Sequence, residues 1–189
     1  MEIDYIIKKS RRRSISVSVT AQGKVFVKAP YGAPTSYIEE YLYSKKDWIL
    51  KTLAKVEKQN DQAQALGPIS QEDLKEIKKQ AKKLIPQRVE YYAGLAGITY
   101  NKIAIRLQKS RWGSCSADGN LNFNCLLVLM PLQVLDSVVV HELVHRHHMN
   151  HSKAFYDEVL RLYPEYKKWD KWLKQNGPAY MLRIDSLVQ

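Results

Sequence analysis

The sequence predicts an α+β protein: a small N-terminal antiparallel β-meander followed by a mixed helical and sheet core. Three observations carry that prediction. Ser14-Ile15-Ser16-Val17-Ser18-Val19 alternates with a period of two, turns at Gln22-Gly23, and alternates again through Lys24-Val25-Phe26-Val27-Lys28. Long stretches with helix-start signals follow. All five histidines then fall within residues 141–151, behind an apolar run from Leu135 to Val140 that reads as a buried helix. In order, residues 2–8 and 14–28 are expected as strands, and Pro30-Tyr31-Gly32-Ala33-Pro34 ends them. Ser36 with Glu39 forms a capping-box start for a helix to about Lys58. Residues 60–69 are polar and contain Gly67-Pro68, which reads as a linker within one compact unit, between an N-terminal lobe, 1–59, and a zincin-like metal-binding catalytic domain, 70–189. Ser70 with Asp73 starts a helix to about Tyr92, with Pro86 as a kink or break. Residues 100–107 alternate as a strand, and Asp118-Gly119 closes a hairpin ahead of the histidine-bearing helix. Two further helices are expected near 152–162 and 164–175, ended by Gly177-Pro178, with Phe155, Tyr156, Tyr163, Tyr166, Trp169 and Trp172 as packing residues.

Composition narrows the function classes. No stretch is long and apolar enough to span a bilayer, and the start lacks a basic region leading into an apolar signal core, so a cytoplasmic protein with no membrane role is expected. Cys115 and Cys125 flank the hairpin turn without facing each other, which favours free thiols in a reducing compartment. A net charge of +11 attracts polyanions in general, leaving nucleic acid, nucleotides and acidic proteins open as partners. The densest cationic spot, Lys8-Lys9-Ser10-Arg11-Arg12-Arg13, reads equally as a solvated strand connection and as a phosphate site.

His141-Glu142-Leu143-Val144-His145 is the motif with chemistry. Four residues of helix return two imidazoles to within roughly 40° of each other with a rise of only ~6 Å, so one ion can bridge them. Glu142 projects beside them, able to touch a water without being a ligand, as a zinc hydrolase requires. For the third ligand, His148 lies too far along the axis for three rings to converge on one tetrahedral ion. His151 can reach if the helix stops near Met149-Asn150 and folds back, Asn tolerating a left-handed turn and Ser152 capping the next helix. Glu158 or Glu165 is the competing carboxylate. A structural zinc site would favour thiolates, and neither cysteine has the spacing for one. His147 reads as surface.

At these residues the chain resembles the YgjP-like metallopeptidase domain family of the zincin group over nearly its full length. The resemblance rests on the Arg-rich segment before Ser14–Val19, Trp48-Ile49, Ser110-Arg111-Trp112-Gly113-Ser114-Cys115-Ser116, Gly119-Asn120-Leu121-Asn122-Phe123-Asn124, the His141–His145 motif and Asn150-His151-Ser152. The interval to the third His also equals that of metzincins, with His148 standing where those carry their turn glycine. Tyr156 stands where the family usually has Trp. The resemblance implies a zincin-like fold with His141, His145 and His151 as metal ligands and Glu142 as catalytic base. It implies a Zn²⁺-dependent hydrolase scaffold and leaves the substrate open; an open three-His zinc beside a Glu matches amide hydrolysis, so a metallopeptidase acting on a peptide or protein is expected foremost, with an extra oxyanion donor from Arg111 or Tyr180. Two alternatives remain: a nucleotide phosphohydrolase or pyrophosphatase using Arg11, Arg12, Arg13 and Arg111, and a nucleic-acid-associated module with a vestigial metal site.

Overall fold

The computed structural model describes residues 3–184, so the expected first strand begins, at Glu2, outside the described residues. The chain forms two compact units, one ending at Gly67 and the other beginning at Pro68. In the first, β1 (Tyr5–Ser10), β2 (Ser16–Val19) and β3 (Val25–Pro30) form a sheet ordered β1-β3-β2. β2 pairs antiparallel with β3, but β1 pairs parallel with it, so the expected antiparallel meander is a mixed sheet. The sequence shows alternation but not pairing. Val25, Val27 and Ala29 project to one face and pack with Ile38, Leu42 and Ile49. Those three come from α1 (Thr35–Ser44) and α2 (Lys46–Leu66). The expected capping box at Ser36 does not form. α1 starts two residues earlier, after an extended Pro34 at the N-cap without a side-chain cap. The anticipated single helix breaks at Lys45, and α2 then continues to Leu66 through most of the anticipated linker.

The second unit opens with α3 (Gln71–Ala96), where Ser70 and Asp73 make the reciprocal capping box that their spacing predicts. α3 runs unbroken through Pro86 because its buried stripe, Leu74, Ile77, Ala81, Ile85 and Val89, lies on both sides of the proline. Tertiary burial outweighs one lost backbone hydrogen bond. β4 (Ile103–Arg106), β5 (Gly113–Cys115) and β6 (Leu121–Asn124) form a second sheet ordered β4-β6-β5. β5 and β6 are the expected hairpin arms, and β4 joins β6 in parallel. A 3-10 turn, Cys125–Leu129, leads to α4 (Leu132–Val144). α5 (Lys153–Leu162) and α6 (Tyr166–Leu182) follow. α6 passes through Gly177-Pro178, which was expected to end it. The helix packs closely there on Trp112, where a Cβ at Gly177 would stand 3.0 Å from Cζ2. No helix among the described residues is long and apolar enough to cross a membrane.

α4 is buried on most of its surface and is tied to α3 by an ion pair. Arg88 Nε and Nη2 each donate to Asp136 at 2.7 Å, and the Tyr92 hydroxyl donates to the same carboxylate at 3.3 Å. Burial and the neighbouring Asp136 charge push the Tyr92 phenol up to about 12, so it remains a donor. This network fixes α4 five residues before His141. Replacing Arg88 by Ala leaves Asp136 buried without its cation and should destabilise the protein by about 3 kcal/mol in urea unfolding, whereas Lys79→Ala, at an exposed pair, should change stability by less than about 1 kcal/mol.

Candidate metal centre

α4 delivers His141 and Glu142 from its last turn and stops at Val144, leaving His145 as its C-cap. The helix was expected to continue to about Met149. Its end tightens earlier, the Arg146 and His147 N–H groups donating to carbonyls three residues back at 2.9 and 3.0 Å, while the His147 and His148 rings reach Glu158 on α5. His147 Nδ1 meets Glu158 Oε1 at 3.0 Å, and His148 Nε2 meets Oε2 at 3.1 Å. The chain then reverses without a left-handed residue; no non-glycine residue among those described has positive φ, so the expected left-handed Asn150 is not used. Ser152 caps α5 as anticipated, accepting from Phe155 N at 3.3 Å.

The reversal brings His151 back onto the α4 pair. His151 Nε2 lies 3.1 Å from His141 Nε2, and the ligand nitrogens of His141, His145 and His151 all fall within 4.8 Å of one another. Their other nitrogens are partly committed. His145 Nδ1 donates to the His148 carbonyl at 2.9 Å, which fixes its tautomer and leaves Nε2 as the free lone pair. His141 Nδ1 meets the Tyr166 hydroxyl at 2.8 Å. Phe155 supports all three rings, its centroid 4.7 Å from that of His145 and 4.9 Å from those of His141 and His151.

These nitrogens fit a divalent ion. Tetrahedral zinc with bonds of about 2.0–2.1 Å needs nitrogens about 3.4 Å apart, which small ring rotations reach from the observed spacings. Burial, with the neighbouring His145 and His151, depresses His141 to about 3, and burial also lowers His145. A metal needs the unprotonated ring that this depression supplies. Glu142 sits beside the cluster, 6 % exposed, and burial lifts its carboxyl to about 8 against an opposing pull from Arg111. β5 presses on it so closely that a Cβ at Gly113 would stand 2.6 Å from Glu142 Oε1. A cavity of about 160 Å³ opens beside His141 and Glu142, walled by Trp112, Val138, Tyr166 and Leu173 with Asp170 at its margin.

The profile of the YgjP-like metallopeptidase domain matches residues 13–77 and 70–176. The chain belongs to this family. Membership makes it a metal-dependent peptidase in class. A search of curated proteins finds no match. Two similar solved structures are metallopeptidase zymogens. Abylysin from Pyrococcus abyssi is 20% identical with a TM-score of 0.44, the match covering 49% of this chain and 98% of that one. Jannalysin from Methanocaldococcus jannaschii is 25% identical with a TM-score of 0.43, covering 48% of this chain and 94% of that one.

Within the YgjP-like domain, the carboxylates that compete with His151 lie in other bonds. Glu158 is held by His147 and His148, and Glu165 pairs with Lys168 at 3.0 Å on the surface. His147 is therefore more than a surface residue. Arg111 is exposed, and its charge reaches Glu142. Tyr180 packs against Trp172, with the Arg183 guanidinium over its ring. Phe155 and Tyr166, expected only as packing residues, and Gly113 are contributors that sequence reasoning passed over. The signal for Gly113 was its place beside Trp112 in the family motif. Arg146 also went unnoticed: its guanidinium donates to the carbonyls of Thr99 and Ala117 and lies where a Cβ at Gly119, with φ of 82°, would come within 2.7 Å. This pins the hairpin turn to the end of α4.

Glu142 gives the metal-free YgjP-like domain a measurable pH signature. Its folded value of about 8 exceeds the unfolded 4.5, so between these the folded state binds more protons and stability falls as pH rises. His141 acts in the opposite sense below 6.5, where the unfolded chain binds the extra proton. Melting temperatures of chelator-treated protein should therefore show Glu142→Gln gaining on wild type as pH rises from 4.5 to about 8, the gap levelling off above. A constant gap would contradict the burial described here.

Proposed function

We propose that this protein is a zinc-dependent peptidase in which His141, His145 and His151 hold the ion and Glu142 is the general base. The observation that supports it most is the convergence of three imidazoles beside a buried carboxylate at one end of α4. Zinc has the matching nitrogen preference and tetrahedral habit, and when bound it supplies a Lewis acid that polarises a peptide carbonyl and acidifies water. Glu142 takes the proton of the attacking water on a carboxylate oxygen and returns it to the leaving amine. Its raised affinity for a proton in the metal-free site is set by burial, and a nearby cation lowers it towards the ionised form that a base requires. Tyr166 and the His148 carbonyl orient the His141 and His145 rings. Arg111, whose charge is felt at Glu142, holds the substrate near the reacting carbonyl. β5 is an edge strand beside Glu142, suited to pairing with an extended peptide, and the cavity walled by Trp112 and Leu173 takes one of its side chains.

The deciding experiment measures zinc content and turnover of unstructured protein by wild type and Glu142→Gln, with nucleoside triphosphates assayed in parallel. Wild type should carry about one zinc per chain. Glu142→Gln should keep that zinc and lose peptide turnover by about 10²–10⁴-fold. Nucleotide turnover that requires Glu142, without any peptide cleavage, would replace this reading.

Metal content also tests the ligand set. His151→Ala should release zinc to a chelator far more readily than His147→Ala, and equal retention would overturn the choice of His151. Glu158→Ala, which frees the loop carrying the His148 carbonyl and His151, should weaken zinc binding by about 10- to 100-fold in chelator competition. Glu158→Gln, which keeps an acceptor for one of the two rings, should fall between.

A further inference from the structure

Residues 5–38 contain no aspartate or glutamate, yet they carry Lys8, Lys9, Arg11, Arg12, Arg13, Lys24 and Lys28. An ordinary solvated surface intersperses the two signs, as the second unit does by pairing Lys79, Lys153, Lys168 and Lys174 with nearby carboxylates. Among the described residues, no ion pair involves any of the seven N-terminal cations. The strand register then concentrates several of them. With Val25, Val27 and Ala29 buried on one face, Phe26 and Lys28 project to the other. Lys8 and Lys28 are direct neighbours across the parallel β1–β3 pair, as are Ile6 and Phe26. Lys24 lies just before β3 on the same alternation, with Asp4 just before β1 in the matching register at the edge of this face. Ser16 pairs with Lys28 from the other side and accepts a hydrogen bond from Arg12 Nη1 at 3.0 Å, bringing that guanidinium to the same face.

Like charges on adjacent strands are destabilising, and no carboxylate relieves Lys8 beside Lys28. Lys8 Nζ instead sits 5.1 Å above the Phe26 ring, a weak substitute for an anion. Phe26 is half-buried and Ile6 is 46% exposed, so the centre of this cationic face is apolar and flat. A row of cations around an aromatic on an open sheet face suits a flexible polyanion with stackable rings.

We propose that the outer face of the N-terminal sheet binds single-stranded nucleic acid, with Lys8, Lys24, Lys28 and Arg12 contacting phosphates and Phe26 stacking on a base. Lys8 swings off the ring to admit the base. This activity is separate from the metal centre and needs no zinc.

The test is fluorescence anisotropy of the full-length protein with a labelled oligothymidylate across a salt series, alongside a duplex and vesicles containing phosphatidylserine. Four phosphate contacts on a single strand give a slope of log K against log salt of about −3. Lys8→Gln with Lys28→Gln should reduce its magnitude by about 1.4, and the paired Lys→Arg variant should restore it. Phe26→Leu, which preserves an apolar residue and the fold, should weaken single-strand binding about tenfold with the slope unchanged. Lys75→Gln with Lys82→Gln, on exposed positions of α3, should change neither. No binding of the single strand, an unchanged slope in the Lys8/Lys28 double variant, or no effect of Phe26→Leu would each overturn the proposal. So would vesicle or duplex binding as tight as that of the single strand.

Discussion

Three imidazole rings packed around one buried phenyl ring set the terms for the larger unit. Phe155 is fully buried and close to His141, His145 and His151 alike, so the donors can gather only if α5 returns to the end of α4. That return requires α4 to stop at Val144, the loop to be held by Glu158, and Ser152 to start α5 where Phe155 falls inside its first turn. The packed site also sets its electrostatics. Burial, with His145 and His151 alongside, holds His141 unprotonated, which a solvated histidine pair on a helix end would not be near its ordinary pKa.

Burial has the opposite meaning for Glu142. The surroundings that favour a neutral imidazole disfavour a carboxylate, so without a metal the fold holds an acid that resists ionising at neutral pH. Gly113 contributes by its lack of a side chain, letting β5 close over Glu142. The site is thus a place where the fold gives up stability for chemistry, and the neighbouring structure is correspondingly firm: the Asp136–Arg88 pair anchors α4 upstream, and Arg146 pins the hairpin turn downstream.

The two units divide the chain's charge differently. In the second, many lysines have acidic neighbours one helical turn away, so their fields are locally cancelled. In the first, seven cations accumulate on strands and turns within residues 5–38, a stretch that holds no carboxylate. The net charge of +11 alone does not reveal this asymmetry. The sheet register turns it into a surface.

Local signals proved readable where the interaction itself is local. The Ser70–Asp73 box, the Asp118-Gly119 hairpin, the Ser152 cap and the common helix face of His141 and His145 all depend on residues within a few positions of one another, and each is visible in sequence spacing. Misreadings share one cause. Whether β1 runs parallel or antiparallel to β3, whether α6 continues through Gly177-Pro178, and where α4 stops each involve partners far along the chain: β3 itself, Trp112, and Glu158. Sequence by itself determined which residue types gather near His141 and that a third donor was needed. Only the tertiary structure decided that His151 joins them while Glu158 turns to His147 and His148, because that choice depends on the direction of a loop fastened from α5 rather than on spacing along α4.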